Sequence, residues 1–251
     1  MFFRSLFVFA ACIAAAVSAP AAAYEFAPIV AQFSPTGSGA AKTFVVRNTH
    51  KEPIALQIEV YSRSADEMGN ETREIDYDDF IVTPPQMVLA PGQSQSIRVQ
   101  WVGDSNPDTE LAYRLVVEQL PIPYKGDGST PEGVSVDVKL GFRYEAALYV
   151  VPASGAPDAR ISYGEIVKSE TGENLLRLTV ENIGQRRAIL QRPVVTLQTG
   201  GQTIELSDEA AEALNNRNII AGTQAVIDLP VADSLSPGPV SASLKTDYFR
   251  N

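Results

Sequence analysis

One alternating row, "VSVDVKLGFRYEAALYVVP" at residues 134–152, restricts what this chain can become more than any other feature. Val134, Val136, Val138, Leu140, Phe142, Tyr144, Ala146, Leu148 and Val150 are all apolar. Side chains two apart share one face of an extended strand, so the row is a period-2 signal. Its length is abnormal. At about 3.3 Å per residue it spans roughly 55 Å, whereas an ordinary strand covers about 17–20 Å. Three uses remain open. The row can bend through a sandwich corner at Gly141, or form a core strand over 142–151 behind a flexible 134–140. Alternatively, its first half presents the apolar face to another protein. Nothing within 134–142 guards against edge pairing, since the stretch has no proline and Lys139 points to the other face.

The rest of the chain is also written in strands. "AKTFVVRN", "IALQIEVYS" and "ELAYRLVVEQLP" alternate, and Gly69-Asn70 and Pro91-Gly92 mark turns. Pro84 and Pro85 exclude a central strand where they stand. After a small-residue linker, "ASGAPDA" at 153–159, the same style resumes, and only "SDEAAEALNN" reads as helical. The expected architecture is all-β: two immunoglobulin-like sandwiches, 24–152 and 160–251, joined at an angle through that linker.

Residues 1–23 read as a cleaved secretory signal. Arg4 gives the positive start, "LFVFAACIAAAV" the apolar run, and "AAA" a cleavage site near Ala23. The run is shorter than the ~20 residues of a spanning helix and is followed by Pro20. Lipidation of Cys12 would require cutting inside it. No later segment is apolar enough for membrane insertion. The only cysteine leaves with the signal, so the mature chain must be held by its core rather than by disulfides. A formal charge of −10 argues against nucleic acid or an anionic membrane as partner.

Little chemistry is visible. His50, the single histidine, sits in a turn beside Lys51 and Glu52 and reads as a solvated residue. One histidine and no mature cysteine exclude a thiolate or imidazole metal cluster. "EIDYDDF" lacks the spacing of a calcium loop, and "TGSGAAKT" lacks that of a phosphate loop. No carboxylate pair stands out for hydrolysis. No enzyme activity, cofactor or metal is expected.

The stretches "TFVVRNTHKEPIALQIEVY", "FIVTPPQMVLAPGQSQSIRVQW", "YRLVVEQLP" and "NLLRLTVENIGQRRA" together resemble the periplasmic PapD-like chaperones of chaperone–usher pilus assembly. "TPP…LAPGQSQSIR" is the most specific part, and the similarity covers nearly all of 24–250. The resemblance implies a non-enzymatic periplasmic protein. It would bind pilus or fimbrial subunits by donor-strand complementation and deliver them to an outer-membrane usher. Aligned on the strand end before Pro152, the family's donor residues fall on Val138, Leu140 and Phe142, with Val136 and Val134 extending the row.

Familiar members anchor the subunit's terminal carboxylate with an arginine and a lysine. The corresponding positions here hold Val30 and Ala147. "RYEAALYVVP" resembles a divergent branch, and Arg143 and Arg114 become the candidate anchors. The free protein is expected to be monomeric or to pair weakly with itself. The rival expectation is a secreted structural or adhesive sandwich protein, such as a pilus subunit, with "YEFAPIVAQF" as its donor peptide.

Overall fold

A computed structural model describes residues 24–121 and 141–249. The expected signal and residues 122–140 lie outside the described residues. The first part of the chain forms β1 (Glu25–Ala27), β2 (Val30–Phe33), β3 (Ala41–Arg47), β4 (Ile54–Ala65), β5 (Glu71–Asp76), β6 (Phe80–Thr83), β7 (Gln86–Leu89), β8 (Ser94–Trp101), β9 (Leu111–Leu120) and β10 (Arg143–Val150). One sheet runs β1-β3-β8-β6; the other runs β2-β10-β9-β4-β5, with β7 also on β4. Alternation decides which side faces in: Phe44 and Val46 of β3 meet Ile97, Val99 and Trp101 of β8, while Val45 and Arg47 face out. Pro84 and Pro85 do what their chemistry requires. The chain leaves β6 there and crosses to the opposite sheet as β7.

Aromatic side chains fill both ends of this core. Phe80 packs edge-on against Phe33, Trp101 and Tyr113, with ring centroids 5.3, 5.1 and 4.9 Å away. Their polar tips are satisfied: Trp101 Nε1–H donates to Asp104 O and the Tyr113 hydroxyl to Asp79 Oδ2. The acidic "EIDYDDF" loop thus spends Asp79 on an internal bond. At the other end Tyr24 packs on Tyr144 at 4.7 Å and its hydroxyl donates to Val117 O.

The second part forms β11 (Ala159–Lys168), β12 (Asn174–Asn182), β13 (Ala188–Thr199), β14 (Gln202–Glu205), α1 (Asp208–Ala211), β15 (Asn218–Ile219), β16 (Gln224–Pro230), β17 (Gly238–Pro239) and β18 (Ser241–Tyr248). Its sheets run β16-β12-β11-β17 and β14-β13-β15, with β18 also on β13. Leu176, Leu178, Val180, Leu190, Val195, Leu197, Ile227 and Leu229 make the core between them. The expected helix is one short turn, capped by the Ser207 side chain accepting from Ala210 N–H.

Two buried asparagines hold turns of matching design. Asn48 donates to Glu52 O and Leu89 O and accepts from His50 N–H. Asn182 donates to Arg186 O and Ile219 O and accepts from Gly184 N–H. Side-chain amides here satisfy backbone groups that would otherwise be buried without partners.

β9 and β10 are buried on both faces near the second sandwich. Ala146, Leu148 and Val150 belong to the first core, whereas Ala147 and Tyr149 join Ala112 and Ile220 in a small cluster between the sandwiches. The Arg187 guanidinium lies over the Tyr149 ring at 3.9 Å and pairs with Glu110 at 2.8 Å. A second contact comes from the β4–β5 hairpin, whose tip reaches β16: Val226 N–H donates to Met68 O at 3.3 Å, and Gln224 Nε2 donates to Glu67 O. Asp66 stiffens that tip by accepting from Met68 and Asn70 N–H. Gly69 has φ +81°, and a Cβ there would stand 2.5 Å from Ala225 Cα. Gly69→Ala is therefore expected to lift the tip off β16 and cost about 1–2 kcal/mol. Amide exchange at Val226 should accelerate while amides in the middle of β12 keep their protection.

Candidate functional site

The described part of the long row begins at Gly141. From Arg143 onward it is β10, an interior strand paired parallel with β2 and antiparallel with β9. Phe142 O accepts from Gln119 N–H, which continues the ladder by one residue. Phe142 and Tyr144 pack against the first core, together with Ala146, Leu148 and Val150. Val134, Val136, Val138 and Leu140 lie outside the described residues. They share the sequence parity of this core-facing set, so a straight extension of β10 would present them in the same pleat direction. Phe142 stands at the lip of this chain's own core, half-buried.

His50 corrects an expectation. Rather than a solvated turn residue it is half-buried, its ring 5.6 Å from the Phe142 ring, and its Nε2 is buried without a hydrogen-bond partner among the described residues. The reason is packing: Asn48 folds the turn back onto the root of β10.

On the outer face of the same sheet the register aligns Val30, Ala147, Arg114 and Tyr61 across β2, β10, β9 and β4. Arg114 is thus the cross-strand neighbour of Ala147. The charge missing from β10 is present one strand over. Arg114 grips Glu71 with both arms of its guanidinium, Nε to Oε1 at 3.0 Å and Nη2 to Oε2 at 2.7 Å. Arg63 and Arg73 each reach the same carboxylate at 2.6 Å. Arg73 also pairs with Glu145 at 2.8 Å, and Arg143 lies 3.2 Å from Glu145 and 3.6 Å from Glu118. Both expected anchors therefore sit in one network, Arg114 at its half-buried centre and Arg143 at its exposed rim.

Burial alone would push the Glu71 carboxyl up. Hydrogen bonds from Arg114 and the charges of Arg63 and Arg114 outweigh it and hold the group at about 2, against an ordinary 4.5. Glu145 is held low chiefly by the Arg73 hydrogen bond. A depressed carboxyl stabilises the fold above its unfolded value and loses that contribution as pH falls through the folded value. Allowing for solvent screening, Glu71 contributes on the order of 2 kcal/mol, lost between about pH 4.5 and pH 2. Urea unfolding across that window should show the loss in the native protein and a flatter profile in Glu71→Gln.

Local sequence does not mark Arg63, Arg73 and Glu71, although a signal for them exists at the level of pairing. Once the Gly69 turn is taken as a hairpin, the register sets Arg63 directly opposite Arg73. Like charges facing each other on a sheet call for a carboxylate between them.

Fold and network together define an all-β protein of two sandwiches with an arginine-rich patch beside a strand root. Residues 34–156 match the model for pili and flagellar-assembly chaperones, PapD N-terminal domain. The match spans β3 to β10, so the first sandwich is similar to a PapD-type chaperone domain. Among curated proteins the chain is similar to a CS1 fimbrial protein of Escherichia coli, named as a subunit of those fimbriae, with 25% identity over 185 residues that cover 71% of each chain. Its fold is that of a chaperone–tip adhesin complex of CFA/I fimbriae biogenesis (TM-score 0.54, 16% identity, 89% of this chain and 99% of that one). It is equally like the class 5 fimbriae chaperone CfaA (0.53, 16%, 89% and 99%). A third likeness is the CsuC–CsuE chaperone–tip adhesion complex of Acinetobacter baumannii (0.53, 16%, 82% and 90%).

Proposed function

We propose that this protein is a periplasmic chaperone that binds fimbrial subunits by lending them a strand, and passes them to an outer-membrane usher. The carrying observation is the match of 34–156 to a pilus chaperone domain, within a span that includes the root of the long row. A subunit sandwich lacking one strand exposes a groove of apolar core. Val134, Val136, Val138, Leu140 and Phe142 would fill successive pockets, while main-chain hydrogen bonds supply affinity that tolerates sequence change. Five such side chains contribute on the order of 10 kcal/mol gross before ordering costs, enough to hold a partner and still allow exchange. Because Phe142 also packs on its own core, it would serve both that core and the subunit groove. Arg114 is the favoured anchor for the subunit's terminal carboxylate, with Arg143 at the rim. The domains would be 24–152 and 160–251, joined by 153–159.

One observation favours a second reading: the similar protein from Escherichia coli is itself called a fimbrial subunit. Co-expression in the periplasm with a fimbrial subunit separates the two. A chaperone should protect the subunit from proteolysis and co-purify with it one to one. If the purified chain instead assembles into polymers by itself and leaves the subunit unprotected, the subunit reading stands and the chaperone reading falls.

A further inference from the structure

We propose that Glu71 is a built-in occupant of the carboxylate site, so that a subunit's terminal carboxylate binds by exchange for it, with Arg63 and Arg73 completing the clamp around Arg114. The inference rests on the chaperone reading for the identity of the ligand, and on this chain's geometry for the site. Three guanidiniums within 3.0 Å of one carboxylate are held together by that carboxylate. Without an anion their charges repel one another in a partly desolvated place: the side chains of Arg63, Arg73 and Arg114 are only 12%, 30% and 20% exposed.

The patch balances its arginines with this chain's own carboxylates. Arg63, Arg73, Arg114 and Arg143 are met by Glu71 and Glu145, with Glu118 at the rim.

Arg114 and Glu71 stand on different kinds of strand, while Arg73 shares β5 with Glu71. Arg114 stands on β9, an interior strand locked between β4 and β10. Glu71 opens β5, an edge strand with no residue in the core clusters, and its carboxylate needs only a rotamer change to turn into solvent. An internal carboxylate competes at a high effective concentration, so the site binds a ligand weakly and releases it readily. That suits a protein that must hand its cargo on.

The test uses the whole folded protein and sodium acetate at constant ionic strength, read by the Nε–H resonances of Arg63, Arg73 and Arg114. Glu71→Ala should bind acetate saturably, at least ~10-fold more tightly than the native protein, and adding Arg114→Ala should abolish the effect. Glu71→Gln, which keeps the side-chain shape, should fall between. Equal acetate affinity in the native protein and Glu71→Ala overturns the proposal. Should the variants fail to fold, the native protein serves: saturating acetate must move the Glu71 carboxyl carbon signal, and an unmoved signal overturns it as well. A peptide copying the last ten residues of a co-purified subunit, with free carboxylate or as its amide, then tests the ligand. Tighter binding of the free acid by Glu71→Ala supports the assignment. Equal binding of acid and amide overturns the exchange with a subunit terminus, while strand lending remains open to its own test.

Discussion

Placing aspartate at both Val138 and Leu140 is expected to abolish subunit capture while leaving the chaperone folded. Each substitution removes a side chain whose burial is worth about 1.5–3 kcal/mol and would force a carboxylate into an apolar groove, at a further cost of several kcal/mol. The pair therefore exceeds about 5 kcal/mol, more than a thousandfold in affinity. The choice of positions matters. Phe142→Asp would strike the lip of this chain's own core and the contact with His50, so a lost complex could mean only a damaged chaperone. The first described pairing of β10 is Arg143 with Glu118, and Val138 and Leu140 precede it in sequence. The readout is subunit yield in periplasmic co-expression, beside the thermal midpoint of the variant alone. Undiminished yield with an unchanged midpoint would remove strand lending from the account.

Much of the architecture was legible because it is local. Alternation in "TFVVR" and "SIRVQW" marks β3 and β8, Pro84-Pro85 excludes a central strand at the point where the chain changes sheets, and "SDEAAEALNN" marks the helical turn. The long row was legible as a row, but not the place of Phe142 in it. Phe142 looks like its neighbours in sequence, and only the ladder bond from Gln119 and the packing under His50 show that it belongs to the sandwich.

What stayed hidden is what depends on register between distant strands. Arg114 is a plain surface arginine in "AYRLVV"; its meaning comes from lying beside Ala147 and facing Glu71, 43 residues away in sequence. Asn48 and Asn182 carry no local mark of their role, yet each is buried as the hydrogen-bonding hub of its turn. Ala147 and Tyr149 look like ordinary members of a strand whose second face should be wet. They are dry because the second sandwich covers them through Ile220.

Arg187→Ala should be among the most damaging single changes in the second sandwich. The Arg187 and Glu110 side chains are 8% and 3% exposed, so their 2.8 Å pair is desolvated. Truncating the arginine strands a buried carboxylate and uncovers the Tyr149 ring beneath the guanidinium. Breaking a buried pair from one side costs about 3–5 kcal/mol, whereas removing both charges together is often close to neutral. At about 2–4 °C per kcal/mol for a chain of this size, the thermal midpoint should fall by roughly 10 °C. Glu110→Gln combined with Arg187→Met should recover most of that loss, since neither partner then carries a buried charge. The contact joins the start of β9 to the turn before β13, where Glu110 N–H also donates to Gln185 O. The single variant should therefore loosen the two sandwiches before either core melts, visible as a second transition in calorimetry. One transition at an unchanged midpoint would mean that Glu110 finds water or another donor, and that the pair does not hold the sandwiches together.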